Sequence, residues 1–461
     1  MNQKILFSGG HWMTAIVIMS LMVSVSLGTV PNIAEAMGTV PKSLKPIPPA
    51  SVELSVEDAV RMALANNPAL TIAIADREAA KGGLTAARAG FWPTITATHS
   101  DSDSWYNPGS TTNSSATAAR GLDRFIADNY VTVSWTLYSG GKVHGLASQA
   151  QATLDSATWG VTRARQTLKL SATTAYYGLV QAKKLLEVNQ EAVSQLEQHL
   201  KDVQLQFEVG TVAKVDVLRS EVDLANAGQN LIKAQNSYDV AMATLNNVIG
   251  LPLTTTLKTK EALPYERFIT PLAECIETGV KQRPESMQGI ANIKSADAGV
   301  VVARSGYLPS VAAAYKVDWN DTNFPGASST NQNWLIALTA NWPVMDSGLT
   351  AGNLKKAMEG LNKARAQLAQ TLDSIRLEVQ ASYLNMREAE KRIETAGVAV
   401  EKAEEDFKIA QIRYSAGVGT NLDVIDAHTA LTQAKTNFVQ AQTDYNTSKA
   451  KLEASMGIPV N

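Results

Sequence analysis

Cysteine and histidine are both scarce in this sequence. Cys275 is the only cysteine among 461 residues, which excludes an intrachain disulfide and any zinc site built from several cysteines. Five histidines provide little material for metal binding or acid–base catalysis, and no Ser/His/Asp set, phosphate-binding loop or cleft of paired carboxylates accompanies them. We therefore expect no enzymatic activity, no metal site and no cofactor.

Charged residues are also few, and neither sign dominates. Lys and Arg number 41 against 43 Asp and Glu, so the formal net charge is -2 and the composition argues against nucleic acid as a partner. Charged residues make up 18% of the chain, below the roughly 25% usual for soluble domains. The mean hydropathy of -0.08 nevertheless excludes a bundle of membrane-spanning helices.

The first 50 residues have the pattern of a targeting segment. Lys4 precedes an apolar stretch from Trp12 to Gly28, and a small-x-small site follows at Ala34-Glu35-Ala36. This order predicts a signal peptide over residues 1–36. An uncleaved anchor is the alternative, but the apolar run is short and contains several serines. Residues 37–50 are rich in proline, which favours an extended leader.

The rest of the chain contains one unit twice. Phe91-Trp92-Pro93 recurs as Tyr307-Leu308-Pro309 at a spacing of 216 residues, and later landmarks recur at a spacing of 207. These later pairs are Trp135 and Trp342, Tyr176 and Tyr383, Gly210 and Gly417, Asp216 and Asp423, and Tyr238 and Tyr445. The change of nine residues indicates a surface loop that is longer in the first copy. We predict a first repeat over residues 51–261 and a second over residues 262–461.

Each repeat predicts short helices, two strands and then a helical hairpin. The segment from Val143 to Phe207 contains no proline and predicts a helix of roughly 100 Å, and its counterpart covers Leu354–Tyr414. Both helices carry an apolar ladder with a period of seven, formed by Ala147, Leu154, Val161, Leu168, Ala175 and Ala182 and by Leu354, Leu361, Leu368, Ile375, Ser382 and Ala389. This period predicts coiled-coil packing. Gly210 and Gly417 are the predicted turns of the two hairpins.

The strand segments alternate between apolar and polar residues. One runs over Tyr130–Tyr138 and its counterpart over Trp334 to Val344. The residues that we expect to face lipid are Val133, Trp135, Leu137, Trp334 and Trp342. An apolar face with aromatic residues at its ends, over about ten residues, is typical of a transmembrane β-strand. A strand of a soluble sandwich is the alternative, against which the export signal and the polar loops both argue.

The number of strands predicts an assembly. Two strands per repeat make four per chain, and an open four-stranded sheet in lipid leaves its edge backbone groups unpaired. Several chains must then close one barrel. About eight strands form a barrel filled by side chains, whereas roughly twelve begin to leave a passage. We therefore predict a mainly α-helical protein in which three chains form a twelve-stranded transmembrane β-barrel, continued by a long α-helical tunnel in the periplasm.

The whole mature chain, from about Leu54 to Pro459, resembles the TolC-like outer-membrane efflux family. The motifs that carry the resemblance are Asn67-Pro68, Phe91-Trp92-Pro93, Ser139-Gly140-Gly141, Tyr414-Ser415-Ala416-Gly417 and Asn421-Leu422-Asp423-Val424-Ile425-Asp426, together with the doubled hairpin. The resemblance implies a homotrimer in the outer-membrane lipid of a Gram-negative bacterium. It also implies a passive exit duct that a periplasmic adaptor joins to an inner-membrane pump or ATP-driven exporter.

The resemblance further assigns roles to residues near the second hairpin turn. Asp423 and Asp426 match the acidic rings of the periplasmic constriction, where a trimer gathers about six carboxylates that favour cations. Asp216 and Tyr414 match residues that latch the closed state by hydrogen bonding. Gly419 stands where the best-known family member has arginine, so a charged latch is not expected there. Helix capping and solvation are the simpler explanations for these aspartates.

A second class of function remains open at this point. A structural or adhesive trimeric coiled-coil protein with a small membrane anchor also needs long helices and a few strands. The duplicated strand and hairpin unit favours the conduit, because an anchor has no need of matched halves that line a tube. The cargo stays open among drugs, metal ions and polypeptides, since the inner-membrane transporter selects it.

Overall fold

The computed structural model describes residues 53–106, 122–260, 263, 265–324 and 327–460. The predicted signal peptide and leader, residues 1–50, lie outside this part of the chain, as does most of the polar loop expected after the first strand. Within the described ranges, no helix has an apolar stretch long enough to cross a membrane.

Both repeats have the same order of elements. The first repeat comprises β1 (Glu53–Leu54), α1 (Val56–Asn66), α2 (Pro68–Ala89), β2 (Thr94–Tyr106), β3 (Leu122–Tyr138), α3 (Lys142–Glu208), α4 (Lys214–Ile249) and β4 (Lys258–Thr259). The second comprises α5 (Leu272–Gln282), α6 (Pro284–Arg304), β5 (Ser310–Phe324), β6 (Ala327–Asn341), α7 (Leu349–Ser415) and α8 (Asn421–Ser455). Asn67 and Arg283 each separate two helices at the residue before a proline that begins the second helix.

The long helices follow the predicted register. α3 and α7 have 67 residues each, and both their first and their last residues are 207 positions apart. Each begins after a glycine with positive φ, Gly141 at 91° and Gly348 at 92°, which is why a strand can turn directly into a helix there. Every residue of the two ladders with a period of seven is buried or half-buried. The ladders are therefore the packing seams that the sequence predicted.

Apolar clusters lie along the helices rather than in one central core. The cluster of the first repeat surrounds Tyr176, Leu245 and Ile249, and that of the second surrounds Val379, Met386 and Tyr445. Two buried tyrosines fasten short extended segments to the helices. The Tyr176 hydroxyl lies 3.2 Å from the carbonyl oxygen of Leu54 in β1 and 2.8 Å from that of Lys260, which follows β4. Tyr445 likewise donates to the carbonyl oxygen of Glu266.

The four long strands form one antiparallel sheet in the order β2-β3-β5-β6. Residues in register across the sheet share a face. One face carries two apolar rows, Ile95, Val133, Tyr315 and Ile336, then Ala97, Val131, Val317 and Trp334. The other face carries Thr96, Thr132, Lys316 and Leu335, then Thr98, Tyr130, Asp318 and Asn333. The expected alternation of an apolar and a more polar face is therefore present.

The strands differ from the predicted ones in length and at two residues. β2 and β3 continue to Tyr106 and from Leu122, because their polar residues go on pairing where a loop was expected. Leu137 has no cross-strand partner, since the register of β3 shifts between Thr136 and Tyr138 and the bulge interrupts the alternation.

Trp342 follows the last strand residue, Asn341, instead of lying within β6, because Pro343 has no N–H to continue the ladder. Its indole N–H donates to the carbonyl of Tyr307 at 3.1 Å, just as the Trp135 indole donates to Phe91 at 3.0 Å. Trp135, near the end of β3, is therefore bonded to the segment after α2, and Trp342, just after β6, to the segment after α6.

We expect Tyr176→Phe to lower the free energy of unfolding by about 1–3 kcal/mol, because the Lys260 carbonyl loses its hydroxyl donor and the Leu54 carbonyl keeps only its bond from the Lys260 N–H. The measurement is thermal unfolding of the purified protein, followed by the helical circular dichroism. Tyr238→Phe is the matched control, since Tyr238 packs against the same cluster and its hydroxyl makes no hydrogen bond within the described chain. Equal losses in both variants would show that the bonds of Tyr176 contribute nothing.

Candidate channel constriction at the helical tip

The two helical hairpins end in turns of the same design. At the end of α3 the Thr211 N–H donates to Gln206 and Gly210 to Phe207, and at the end of α7 Val418 donates to Arg413 and Gly417 to Tyr414, at 2.9–3.0 Å. This pair of bonds is a Schellman motif, whose closing residue takes positive φ. Gly210 and Gly417 have φ of 80° and 73°. The predicted tip turns are therefore present at both glycines.

The first turn of α8 engages one of the two predicted constriction aspartates. The Thr420 hydroxyl accepts from the Asp423 N–H at 3.1 Å, and an Asp423 carboxylate oxygen accepts from the Thr420 N–H at 2.9 Å. This capping box holds the pKa of the Asp423 carboxyl below its usual value, chiefly through the bond from the Thr420 N–H. α4 has Ala213 as its N-cap residue and therefore begins without a side-chain cap.

Asp426 lies one turn further along α8 and is exposed on the same side as Asp423. The residues between and after them, Val424, Ile425, Ala427 and His428, are buried. Asp223 of α4 is half-buried nearby, and burial raises the pKa of its carboxyl, which the negative charge of Asp426 raises further. This side of α8 thus presents two exposed carboxylates, with the Asp223 carboxyl close to that of Asp426.

The predicted latch residues lie close together without a hydrogen bond between them. Tyr414 is buried, and its hydroxyl has no hydrogen-bond partner in the described chain. Burial raises the pKa of this hydroxyl, and the charges of Asp216 and Asp202 raise it further. The Asp216–Tyr414 hydrogen bond expected from the resemblance is therefore not made in this conformation. One consequence is that the tyrosine is held by packing, including an edge contact with the His199 ring at 5.2 Å between centroids.

A buried polar network joins the two hairpins at the same level. The side-chain oxygen of Asn421 lies 2.6 Å from Nε2 of His199, and its amide nitrogen donates to the Asp216 carbonyl at 3.0 Å and to the Ser220 hydroxyl at 3.2 Å. Asn421, His199 and Ser220 are each less than 9% exposed. Sequence reasoning missed this network, because its partners lie about 200 residues apart and no motif marks them.

His428 extends the packed tip on α8. Its ring contacts Phe407 edge-on at 5.4 Å between centroids. Burial lowers the pKa of the imidazole, and the neighbouring His199 lowers it further. Around these rings, residues of α3, α7 and α8 form an apolar cluster near the hairpin turns: Val203, Phe407, Ala410, Tyr414, Val424, Ala427 and Leu431. Among the residues that the structure describes, no three His, Cys, Asp or Glu side chains are grouped to hold a metal ion.

Gly419 is in close contact with the end of α7. Its N–H donates to the Arg413 carbonyl at 3.0 Å, and a Cβ at this position would lie 3.0 Å from the Tyr414 nitrogen. A side chain at this position would require the neighbouring backbone to shift by a few tenths of an ångström. Gly419 thus allows the turn to approach the helix end closely, at the position where the best-known family member has arginine.

Comparison with known proteins gives consistent matches along most of the chain. Residues 59–251 and 277–458 match the family model described as outer membrane efflux protein. The outer membrane protein TolC of Escherichia coli (strain K12) is 24% identical over 411 residues, which cover 85% of this chain and 80% of that protein. The alkaline protease secretion protein AprF of Pseudomonas aeruginosa is 22% identical over 423 residues, which cover 88% of this chain and 85% of that protein.

A solved structure has the same fold. The Campylobacter jejuni CmeC outer membrane channel superposes with a TM-score of 0.78 at 16% sequence identity, over 87% of this chain and 85% of that one. The two parts of the family match also fall on either side of residues 252–276, the segment that links the repeats.

We expect Tyr414→Phe to leave the free energy of unfolding unchanged or to raise it by about 1 kcal/mol, because the hydroxyl is buried without a partner. Asn421→Ala is the contrasting variant: it leaves several buried polar groups unpaired and should cost about 1–3 kcal/mol. Both are measured by thermal unfolding of the purified protein. A loss in the Tyr414→Phe variant as large as that in Asn421→Ala would show that the hydroxyl is hydrogen-bonded in solution, as a latch requires.

Proposed function

The chain belongs to the outer membrane efflux protein family, and from this premise we propose that three copies form one passive exit duct. In this proposal a periplasmic adaptor joins the duct to an inner-membrane pump or ATP-driven exporter. The observation that carries it is the open sheet of four antiparallel strands. Each of its two edge strands is paired on one side only within the described chain. A duct needs no reacting groups, and we assign the chain no catalytic residue and no cofactor.

Family membership confirms two expectations drawn from the sequence. The protein is an outer-membrane efflux channel with a large periplasmic portion, as the export signal and the alternating strands predicted. The alternative, an adhesive or structural coiled-coil protein with a small anchor, is not favoured, because the relatives that match along both repeats include an efflux-family protein and a secretion protein.

The sheet supports closure by copies of the same chain. β2 and β6 are its edges, and they run in opposite directions because neighbouring strands alternate. Around a rotation axis, β6 of one copy therefore meets β2 of the next in the same antiparallel manner. Four strands from each of three copies make twelve, about the number at which a barrel begins to leave a passage.

The apolar face of the sheet has the height that a membrane requires. On β5 it runs from Val311 to Trp319, eight residue steps or roughly 27 Å along the strand. With the usual strand tilt of about 40° this length covers roughly 20 Å of the bilayer, close to the outward apolar band of about 25 Å in outer-membrane barrels. We propose that Val133, Trp135 and Trp334 contact lipid, with Leu137 and Trp342 at the periplasmic rim.

At the other end of the duct we propose that Asp423 and Asp426 form the acidic constriction. Their exposure on one side of α8 leaves them free to face an axis, and the capping box fixes the first of them in position. Asp216 and Tyr414 remain the proposed latch of the closed state: the buried Tyr414 hydroxyl has no hydrogen-bond partner in the described conformation and would gain one when the hairpins close. In this proposal the turns at Gly210 and Gly417 form the periplasmic tip, which faces the adaptor.

The proposal covers cargo only as a class. A passive duct selects by charge and width, so its transporter decides between small molecules, metal ions and polypeptides. The description of the family concerns efflux, whereas the name of AprF concerns secretion of a protease. Either type of transporter is compatible with a duct of this construction.

The assembly is tested with the full-length protein extracted from outer membranes in detergent. We expect light scattering to give a protein mass of three chains, and planar lipid bilayers that receive this particle to show discrete conductance steps. A single-chain particle, or a trimer that never conducts, would contradict the proposed duct.

The constriction is tested by removing charge without removing the cap. Asp423→Asn together with Asp426→Asn keeps a side-chain oxygen for the Thr420 N–H and eliminates about six charges from the trimer, so we expect weaker block of the bilayer current by trivalent cations. Glu401→Gln with Glu405→Gln is the matched control, since these exposed carboxylates lie on α7 above the tip. Unchanged block in the aspartate variant would place both residues outside the current path.

A further inference from the structure

The two repeats share one sequence register along the long helices. α3 and α7 begin and end 207 residues apart, and α4 and α8 begin at Lys214 and Asn421, also 207 apart. Within the chain the hairpin helices lie side by side in the order α7, α8, α3, α4. α6 also packs against α3 across the repeats, but the two hairpins meet where α8 contacts α3. Around a closed tube the equivalent contact joins α4 of one copy to α7 of the next.

The contact within the chain has three polar pairs between α3 and α8. His199 bonds Asn421 at 2.6 Å, and Gln181 donates to Gln440. Glu191 accepts from Lys435 at 2.9 Å. Two of the three pairs are thus neutral and one is an ion pair.

The outer faces of α4 and α7 carry large apolar side chains, like the buried contact between α3 and α8, but within the described chain nothing covers them. Ile232 of α4 is 72% exposed, whereas its counterpart in α8, Val439, is 7% exposed. Leu384 of α7 is 54% exposed, whereas its counterpart Tyr177 in α3 is 9% exposed. Such large apolar side chains at interface positions indicate that these faces are covered by another chain.

We propose that Lys214 and Lys233 of one copy form ion pairs with Asp406 and Glu388 of the next, respectively. A shift of 207 residues turns the pair His199–Asn421 into Asp406–Lys214 and the pair Gln181–Gln440 into Glu388–Lys233. The occupant of the α4 and α7 faces is therefore a second copy of this chain. This inference rests on the ring of copies proposed above and adds the residues that join them.

The geometry permits both substitutions. Lysine is longer than asparagine and aspartate is shorter than histidine, so the first pair keeps roughly the combined reach of the bond that it replaces. In the second pair, Glu388 has the length of the glutamine that it replaces, and Lys233 is longer than its glutamine counterpart, so the combined reach is slightly greater. Lys214, Lys233 and Asp406 are exposed and make no ion pair within the described chain, while Glu388 pairs with Arg392 of its own helix at 2.6 Å.

The charges also specify the order of the helices. At the two positions the α4 face carries two lysines and the α7 face two carboxylates, whereas the α3 and α8 faces carry neutral groups. At the third position the charged pair lies within the chain instead, because the counterparts of Glu191 and Lys435 are the uncharged residues Val398 and Gly228. An α4 face therefore matches an α7 face and leaves unpaired charge against α3 or α8, which favours one arrangement of the ring.

The first experiment cross-links the full-length chain in a Cys275→Ala background, purified from membranes in detergent. Lys214→Cys with Asp406→Cys, and separately Lys233→Cys with Glu388→Cys, are treated with a short bismaleimide and separated in SDS. We expect covalent dimers and trimers from both pairs. Absence of this ladder from both pairs would overturn the proposal.

Two matched controls test whether the contact is specific. Lys214→Cys with Glu405→Cys moves one thiol to the neighbouring position of α7, and His199→Cys with Asn421→Cys joins two positions of the same chain. We expect both variants to remain monomers in SDS. A ladder as strong as that of Lys214→Cys with Asp406→Cys would show that the contact lacks the proposed register.

A charge exchange separates pairing from mere proximity. Lys214→Glu with Lys233→Glu should shift the dilution at which the particle dissociates, seen by light scattering, toward higher protein concentration. Adding Asp406→Lys and Glu388→Lys to the same chain should restore it, and failure of this rescue would contradict the ion pairs. A wild-type particle of three chains without any cross-link ladder would refute the pairing alone, whereas a single-chain particle would refute the proposed duct itself.

Discussion

The need to pair every backbone group in the membrane is the constraint on which the rest of this structure depends. Each chain supplies four strands, and two of them, β2 and β6, have one side without a hydrogen-bonded neighbour. In lipid an unpaired N–H or carbonyl costs several kcal/mol, and the proposed sharing of edges with other copies removes this cost. In that proposal assembly is part of the fold, and the helices that continue from the sheet are arranged for a ring.

The helical part meets this requirement through its duplication. A helix of 67 residues is far too long for a compact core, and its stability comes from side-by-side packing along seams such as Val161–Leu168 and Leu361–Ile375. Because both repeats present the same seams at the same heights, a contact between repeats in one chain can recur between chains. A small set of packing rules thus builds a long tube without a central core. In the first repeat Tyr176 holds the short β1–β4 pair, and in the second Tyr445 donates to the Glu266 carbonyl.

Sequence patterns predicted the parts of this structure that depend on periodicity and on backbone chemistry. The period of seven identified the helices, Gly210 and Gly417 marked their turns, and alternation identified the strands. The end of β6 before Trp342 was missed, although Pro343 marks it in the sequence. The bulge at Leu137 was also missed, because it depends on how β3 and β5 meet in space. The His199–Asn421 network was missed for the same reason: single polar residues in long helices do not reveal their partners. The roles proposed for Asp423, Asp426, Asp216 and Tyr414 rest on a family resemblance, because neither periodicity nor alternation assigns a role to a single polar residue.

The tip combines strong local structure with unsatisfied groups, and this combination fits the proposed role of the tip as a closure that opens. The capping box of Thr420 and Asp423 and the glycine turns fix the shape of each hairpin. Between the hairpins, however, the Tyr414 hydroxyl and Nε2 of His428 are buried without partners. Each such group costs about 1–3 kcal/mol relative to a hydrogen-bonded one. A rearrangement that moves whole hairpins against each other can satisfy these groups while leaving every turn intact, so the lowest-cost motion of the tip is a change between hairpins and not within them.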